Sequence, residues 1–215
     1  MKLVIVGASG GVGQQLVSLA AKQGHAVTAV VRSGSWAAPA GVETRVGSLT
    51  DVDFLAKAFE GHEVVLSGLG LRLKSIAPWA KPEVADFLST STPAIIAAMK
   101  RAKVERVIAV SAGGVGDTAD KVPGAFRTFI RFSALRHAYA ELEVMERLYR
   151  SSGLQVCLPR PTGLTDGPVT EQVKVCESFE GRATISRGDV AWWMLKEAVT
   201  PRFTGQAPMI TVTGA

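Results

Sequence analysis

The run LVIV at residues 3–6 is apolar, rich in β-branched residues and closed by Gly7, so it predicts a buried strand. Apolar residues then recur with helical spacing over 12–21, and Gly24 and His25 end that helix. AVTAVV (26–31) predicts a second strand. VETRV (42–46) predicts a short third strand after a Gly/Ser/Ala/Pro-rich connection. Asp51 caps a helix running to Phe59, and EVVLSGLG (63–70) predicts a fourth strand entering a glycine loop. Prolines and a lack of period over 71–92 predict a long loop. Thr92 and Pro93 then start a helix that reaches Ala102, with proline where its missing N–H costs least.

RVIAVSAGG (106–114) predicts a fifth strand, 115–133 a second long loop and 135–150 a helix ended by Ser152 and Gly153. LQVCLPRP (154–161) predicts a sixth strand. Short strands near 173–176, 183–185 and 209–213 and a helix near 189–198 complete the chain. Strands alternating with helices predict a parallel sheet covered on both faces, doubly wound because crossovers are right-handed. No repeat, low-complexity tract or linker interrupts the 215 residues, so the expectation is one domain over 1–215. The irregular stretches near 71–85, 115–133 and 162–186 follow strands four, five and six, at the end of the sheet where ligands bind. The C-terminal part, about 162–215, is expected to contribute to the substrate pocket.

Between the first strand and the first helix lies Gly7-Ala8-Ser9-Gly10-Gly11-Val12-Gly13, which contains G-x-x-G-x-x-G. Here Gly7 permits the tight turn, Gly10 lets the backbone approach a pyrophosphate, and Gly13 allows close helix–strand packing. The helix N-terminus behind it offers N–H groups and a positive dipole to phosphate. This loop, in this context, predicts a Rossmann-type, three-layer α/β/α domain that binds a dinucleotide. The second strand ends at Val31-Arg32-Ser33, where an NAD-preferring site carries Asp or Glu. Arginine there can pair with a 2′-phosphate, so the expected cofactor is NADP, with NADPH preferred over NADH.

Composition adds exclusions. With 47% hydrophobic residues and a net charge of +5, the chain reads as an ordinary globular protein, and no apolar run is long enough to span a bilayer. A cytoplasmic location is expected. Lys121, Arg127, Arg131, Arg136 and His137 form the densest basic stretch, with Phe126, Phe129 and Phe132 interleaved. They read as a solvated amphipathic segment or an electropositive wall, since no nucleic-acid module accompanies them. Cys157 and Cys176 lack CxxC spacing, and His25, His62 and His137 are scattered, so inert thiols and no metal site are expected. The expected partner is a small-molecule substrate, without nucleic acid or membrane; the oligomeric state is left open, a monomer included.

GASGGVG, VVRS, GSLTD (47–51), VLSGLG (65–70), VIAVSAGG (107–114), SSGLQVCLPRPTGL (151–164) and ISRGDVA (185–191) occur in an order that extends over most of the chain. In this the sequence resembles the atypical short-chain dehydrogenase/reductases, the NAD(P)H-binding proteins similar to NmrA and to biliverdin-IXβ/flavin reductases. The resemblance implies that Ser9, Gly10, Gly11 and Val12 hold the pyrophosphate and that Arg32 with Ser33 holds the adenosine phosphate. It implies Ser48 and Leu49 beside the adenine and Gly68, Leu69 and Gly70 under the ribose. Ser111 and the turn Pro159, Arg160, Pro161, Thr162 would approach the nicotinamide.

Classical members of that superfamily carry Tyr-x-x-x-Lys, whose lysine lowers the tyrosine pKa. Here Tyr139 is followed four residues on by Glu143, and a carboxylate opposes ionisation of a phenol. Ser111, as a hydrogen-bond donor near the hydride acceptor, is therefore the stronger catalytic candidate and Tyr139 the weaker. The first functional expectation is an NADP(H)-dependent reductase passing hydride to a small planar conjugated acceptor such as a flavin, quinone or tetrapyrrole. Trp79, Phe126 and Phe129 are candidate stacking groups. The alternatives are an NmrA-like NADP(H) sensor that regulates a partner without catalysis and, behind it, a nucleotide-sugar epimerase or dehydratase.

Overall fold

Alternate residues of the first strand serve two different cores. In the computed structural model, which describes residues 1–178 and 183–212, β1 (Lys2–Val6) puts Val4 and Val6 into one apolar cluster and Leu3 and Ile5 into another. All four are fully buried, as a central parallel strand requires. β1 pairs in parallel with β2 (Ala26–Val31) on one side and β4 (Val64–Ser67) on the other. β3 (Glu43–Val46), β5 (Arg106–Ala109) and β6 (Gln155–Cys157) extend the sheet to the order β3-β2-β1-β4-β5-β6. This is the doubly wound Rossmann arrangement, and its strand order reverses between β1 and β4.

On the Val4 face pack α2 (Val52–Phe59), α3 (Phe87–Ala102) and α5 (Leu135–Arg150), through Leu55, Phe59, Ile95, Met99 and Met145 among others. On the Leu3 face pack α1 (Gly11–Lys22) and α6 (Arg187–Val199), through Leu16, Val17, Val190 and Met194. Asp51 caps α2 as expected, its carboxylate accepting from the Phe54 N–H at 3.0 Å. Beyond the main sheet, β7 (Arg160–Pro161), β11 (Met209–Val212) and β9 (Val173–Cys176) form a small sheet. β8 (Gly163–Thr165) and β10 (Thr184–Ser186) form a pair. The expected end of the last strand at residue 213, and positions 179–182 of the expected irregular stretch, lie outside the described residues.

Several expectations need correction. The third helix starts at Phe87, not at Pro93, which sits inside it. A distant group makes the extra turn stable: Glu141 of α5 accepts from the N–H groups of Leu88 and Ser89 at 2.8 and 2.9 Å. Hydroxyls of Thr90 and Ser91 bond back to the carbonyls of Asp86 and Phe87 at 2.6 and 2.7 Å within that turn. Nor is 115–133 a plain loop. It holds a 3-10 turn (Gly116–Thr118) and α4 (Gly124–Phe132), a helix that buries none of its residues fully although Phe126, Phe129 and Ile130 recur at helical spacing. The fourth, fifth and sixth strands are shorter than expected, ending at Ser67, Ala109 and Cys157. The expected sixth strand is split, and its second part, β7, pairs with β11.

Candidate functional site

The crevice at the strand-order reversal is built by the turns after β1, β2 and β4. Gly7 sits at φ +74°, in the left-handed region that glycine enters without strain. Gly13 has no alternative: a Cβ there would lie 2.0 Å from the Gly7 carbonyl oxygen. The first turn of α1 is thereby pressed against the strand. Gly10 precedes α1 in extended conformation without a side-chain cap, and no acidic residue occupies the helix's first turn. Such a helix end presents N–H groups and positive potential to whatever lies before it.

Gly7, Ser9, Gly10, Arg32, Leu49, Gly68, Leu69 and Gly70 together line one cleft that is open to solvent. Phe87, Arg72, Glu83 and Val84 also line it, beside Val30, Val31 and Leu71, and sequence reasoning did not single them out. Phe87 was hidden by the misplaced helix start. Its ring lies under the Arg32 guanidinium, 6.0 Å from the ring centroid, which holds that arginine at the end of β2. The segment carrying Arg72 and Glu83 folds back on itself, with a bridge between Leu73 and Pro82 and a Glu83 N–H donated to the Arg72 carbonyl at 3.1 Å.

The other expected cofactor residues are not among those lining this cleft. Ser33 and Ser48 are engaged locally, with Ser35 at 2.9 Å and Thr50 at 2.8 Å respectively. Gly11 and Val12 begin α1, and Val12 is buried against the sheet. Pro159 and Pro161 accept from the N–H groups of Ser111 and Gly113 at 2.8 and 2.9 Å, which fastens the turn after β6 to the turn after β5. Thr162 is buried, its hydroxyl 3.2 Å from that of Thr211.

Ser111 and Arg160 meet elsewhere, in a buried polar chain. The Ser111 hydroxyl donates to Glu146 Oε1 at 2.6 Å, and Arg160 donates to both Glu146 oxygens at 2.9 and 2.6 Å. A further Arg160 N–H reaches Asp117 at 2.5 Å. Ser111, Glu146 and Arg160 are 5%, 4% and 1% exposed, so this is an interior network. Burial works against the charge on Arg160, but its hydrogen bonds to Glu146 and Asp117 outweigh that and keep it charged. The same Arg160 hydrogen bond holds the Asp117 carboxyl below its usual range.

Tyr139 donates to the Gly113 carbonyl at 3.1 Å, and burial pushes its phenol up to about 12. It is therefore a poor base at neutral pH. Cys157 is buried, with its thiol also raised to about 12 by desolvation, which removes thiolate character. Trp79 is 82% exposed, and Phe126 and Phe129 stack on each other with centroids 6.4 Å apart.

The residues present suit a dinucleotide. A Cβ on Gly13 or Gly68 would run into backbone at 2.0 or 2.9 Å, the uncapped helix end faces the cleft, and an arginine stands where the second strand ends. Among the described residues, no helix is long and apolar enough to cross a membrane. Over its full length the fold is similar to that of ChuY, an anaerobillin reductase from Escherichia coli O157:H7. The TM-score is 0.81 at 23% identity, covering 100% of this chain and 98% of that one. A short-chain dehydrogenase/reductase of Veillonella parvula in complex with NADP is similar at a TM-score of 0.78 and 19% identity, covering 99% and 95%. In sequence, the chain is 28% identical to the phenylcoumaran benzylic ether reductase Betv6 of Betula pendula over 94% of its own length. It spans 65% of that relative. The model of the NAD(P)H-binding family matches residues 7–201, nearly the whole chain, and to that family this protein belongs.

Proposed function

We propose that the protein is an NADP(H)-dependent oxidoreductase of the cytoplasm that passes hydride from the nicotinamide to a small planar conjugated acceptor, such as a flavin, quinone or tetrapyrrole. The observation that carries this reading is the cleft itself, with the glycine cradle on one side and Arg32 at the end of β2. A bound nicotinamide supplies the hydride, and the second hydrogen arrives as a proton from water. A conjugated acceptor delocalises the incoming charge, so the protein contributes chiefly position. That the likenesses include two reductases supports the reaction class.

Ser111 and Tyr139 flank the reacting centre in this proposal, with the turn Pro159–Thr162 behind it and residues after 162 completing the pocket. Ser111 was expected to donate to the acceptor, but its proton goes to Glu146, so in this proposal its part is to orient the acceptor through the hydroxyl oxygen. Arg160 acts through Glu146 as a positioning residue. Tyr139 packs beside the site, its proton held by Gly113.

Oxidation of NADPH against a panel of flavins, quinones, linear tetrapyrroles and aldehydes tests the reading. Turnover with one of the planar classes is expected. Tyr139→Phe should stay within about tenfold of the wild-type rate, because a working general acid contributes about 10²–10⁴-fold. Larger loss would return the phenol to the centre of the chemistry. A second reading, an NADP(H) sensor that regulates a partner, is favoured by one observation: the Ser111 and Tyr139 protons are both already bonded within the protein. Tight NADPH binding with no turnover across the panel would put that reading first.

Cofactor choice follows from Arg32. NADPH should bind at least about tenfold tighter than NADH, or about 1.4 kcal/mol, and Arg32→Asp should remove the preference. Equal affinities in titration calorimetry of the wild type would refute the 2′-phosphate assignment.

A further inference from the structure

The N-terminus of α1 is not open on all sides. A Cβ built on Gly11 would fall 2.6 Å from Cδ and 2.8 Å from Nε of Arg187, so that side chain lies directly over the first residue of the helix. Gly11 leaves room for it. Arg187 is itself the first residue of α6, and its backbone is firmly seated. Ser186 caps α6 by accepting from the Asp189 N–H at 2.9 Å, and its hydroxyl lies 3.0 Å from the Pro168 carbonyl. Asp189 in turn accepts from the N–H groups of Thr170 and Glu171 at 2.7 and 3.0 Å.

The electrostatics of this placement are unfavourable as they stand. A guanidinium sits at the positive end of a helix that has neither a side-chain cap nor an acid in its first turn. The ion pair it makes is with Asp166 at 2.7 Å, whose side chain is 93% exposed, and such pairs are weak in water. An anion placed between the helix end and the guanidinium reverses the sign of both interactions.

We propose that Arg187 is a diphosphate clamp. When the dinucleotide binds, the guanidinium leaves Asp166 and pairs with diphosphate oxygens held by the N-terminus of α1. Asp166 is its placeholder in the free protein. The planar fork suits two phosphate oxygens at once. This inference rests on the dinucleotide reading above and assigns a residue from outside the glycine loop to the phosphate half of the ligand.

Four probes test it by titration calorimetry: NADPH, NADH, ADP and 2′-AMP. Arg187→Ala is expected to weaken NADPH, NADH and ADP alike by roughly tenfold or more, and to leave 2′-AMP unchanged, since that ligand has no diphosphate. Arg32→Asp should show the opposite pattern, weakening NADPH and 2′-AMP only. Asp166→Asn should tighten the three diphosphate ligands by roughly two- to fivefold, because the competing carboxylate is gone. Arg187→Lys, which keeps the charge without the fork, should fall between wild type and alanine.

If Arg187→Ala leaves NADPH and NADH within twofold of wild type, the clamp is overturned while the cofactor reading stands. Equal losses for 2′-AMP and ADP in Arg187→Ala, with a lowered melting temperature, would mark the residue as structural and also overturn it. A wild type that binds none of the four overturns the cofactor reading and the clamp together.

Discussion

Arg160→Met is expected to lower the free energy of unfolding by about 3–5 kcal/mol, as breaking a buried ion pair does when one charge is left behind. The charge left is Glu146, 4% exposed, which would keep only the Ser111 hydroxyl and the more distant Arg150 at 3.8 Å. Methionine matches much of the arginine stem, so lost packing is a minor part of the effect. Adding Glu146→Leu should recover most of the loss, because the pair together costs more to desolvate than an apolar pair of similar volume. Asp117→Asn, at the solvent end of the chain with its side chain 74% exposed, should cost little. Urea midpoints for the four proteins measure this. A single-variant loss under about 1 kcal/mol would mean that Glu146 finds water or Arg150 easily, and that the network does not position Ser111.

The second large effect is confined to binding. Gly10→Val should lose dinucleotide binding by roughly a hundredfold or more while remaining folded, since 2–3 kcal/mol of phosphate contacts depend on close backbone approach. The backbone at Gly10, φ −82° and ψ 167°, is one that valine adopts readily. A Cβ there meets the Gly7 carbonyl oxygen at 3.2 Å, a contact that a shift of a few tenths of an ångström relieves. The remaining methyls take the space on the cleft wall. Gly13→Ala should behave differently, losing stability and binding together, because its Cβ meets backbone atoms at 2.0 Å that cannot move without undoing the turn. Circular dichroism melts beside NADPH fluorescence titrations separate the two. A folded Gly10→Val protein with wild-type affinity would place the diphosphate away from this loop.

What was legible in the sequence was what local pattern determines. The β1 run, the glycine loop and the Asp51 cap each depend on residues adjacent in the chain, and the parallel order follows from alternation and handedness. The misreadings lie where distant groups decide. The first turn of α3 is capped by Glu141, more than fifty residues away, and local pattern alone puts the helix start at Pro93 and leaves Phe87 in a loop. An exception is α4, which packs against α5 without burying any residue fully, its helical spacing of Phe126, Phe129 and Ile130 legible in the sequence where a loop was expected. The Arg160 side chain looks inward to Glu146, a direction that a motif between two prolines does not disclose. The Arg187–Gly11 contact joins opposite ends of the chain and was equally out of reach.

A crystal structure of the protein saturated with NADP+ tests whether this cleft holds the dinucleotide. Diphosphate density is expected against the Gly7–Gly13 loop at the N-terminus of α1, with the 2′-phosphate beside Arg32. Dinucleotide density at any other surface, or none at saturation, would contradict this placement.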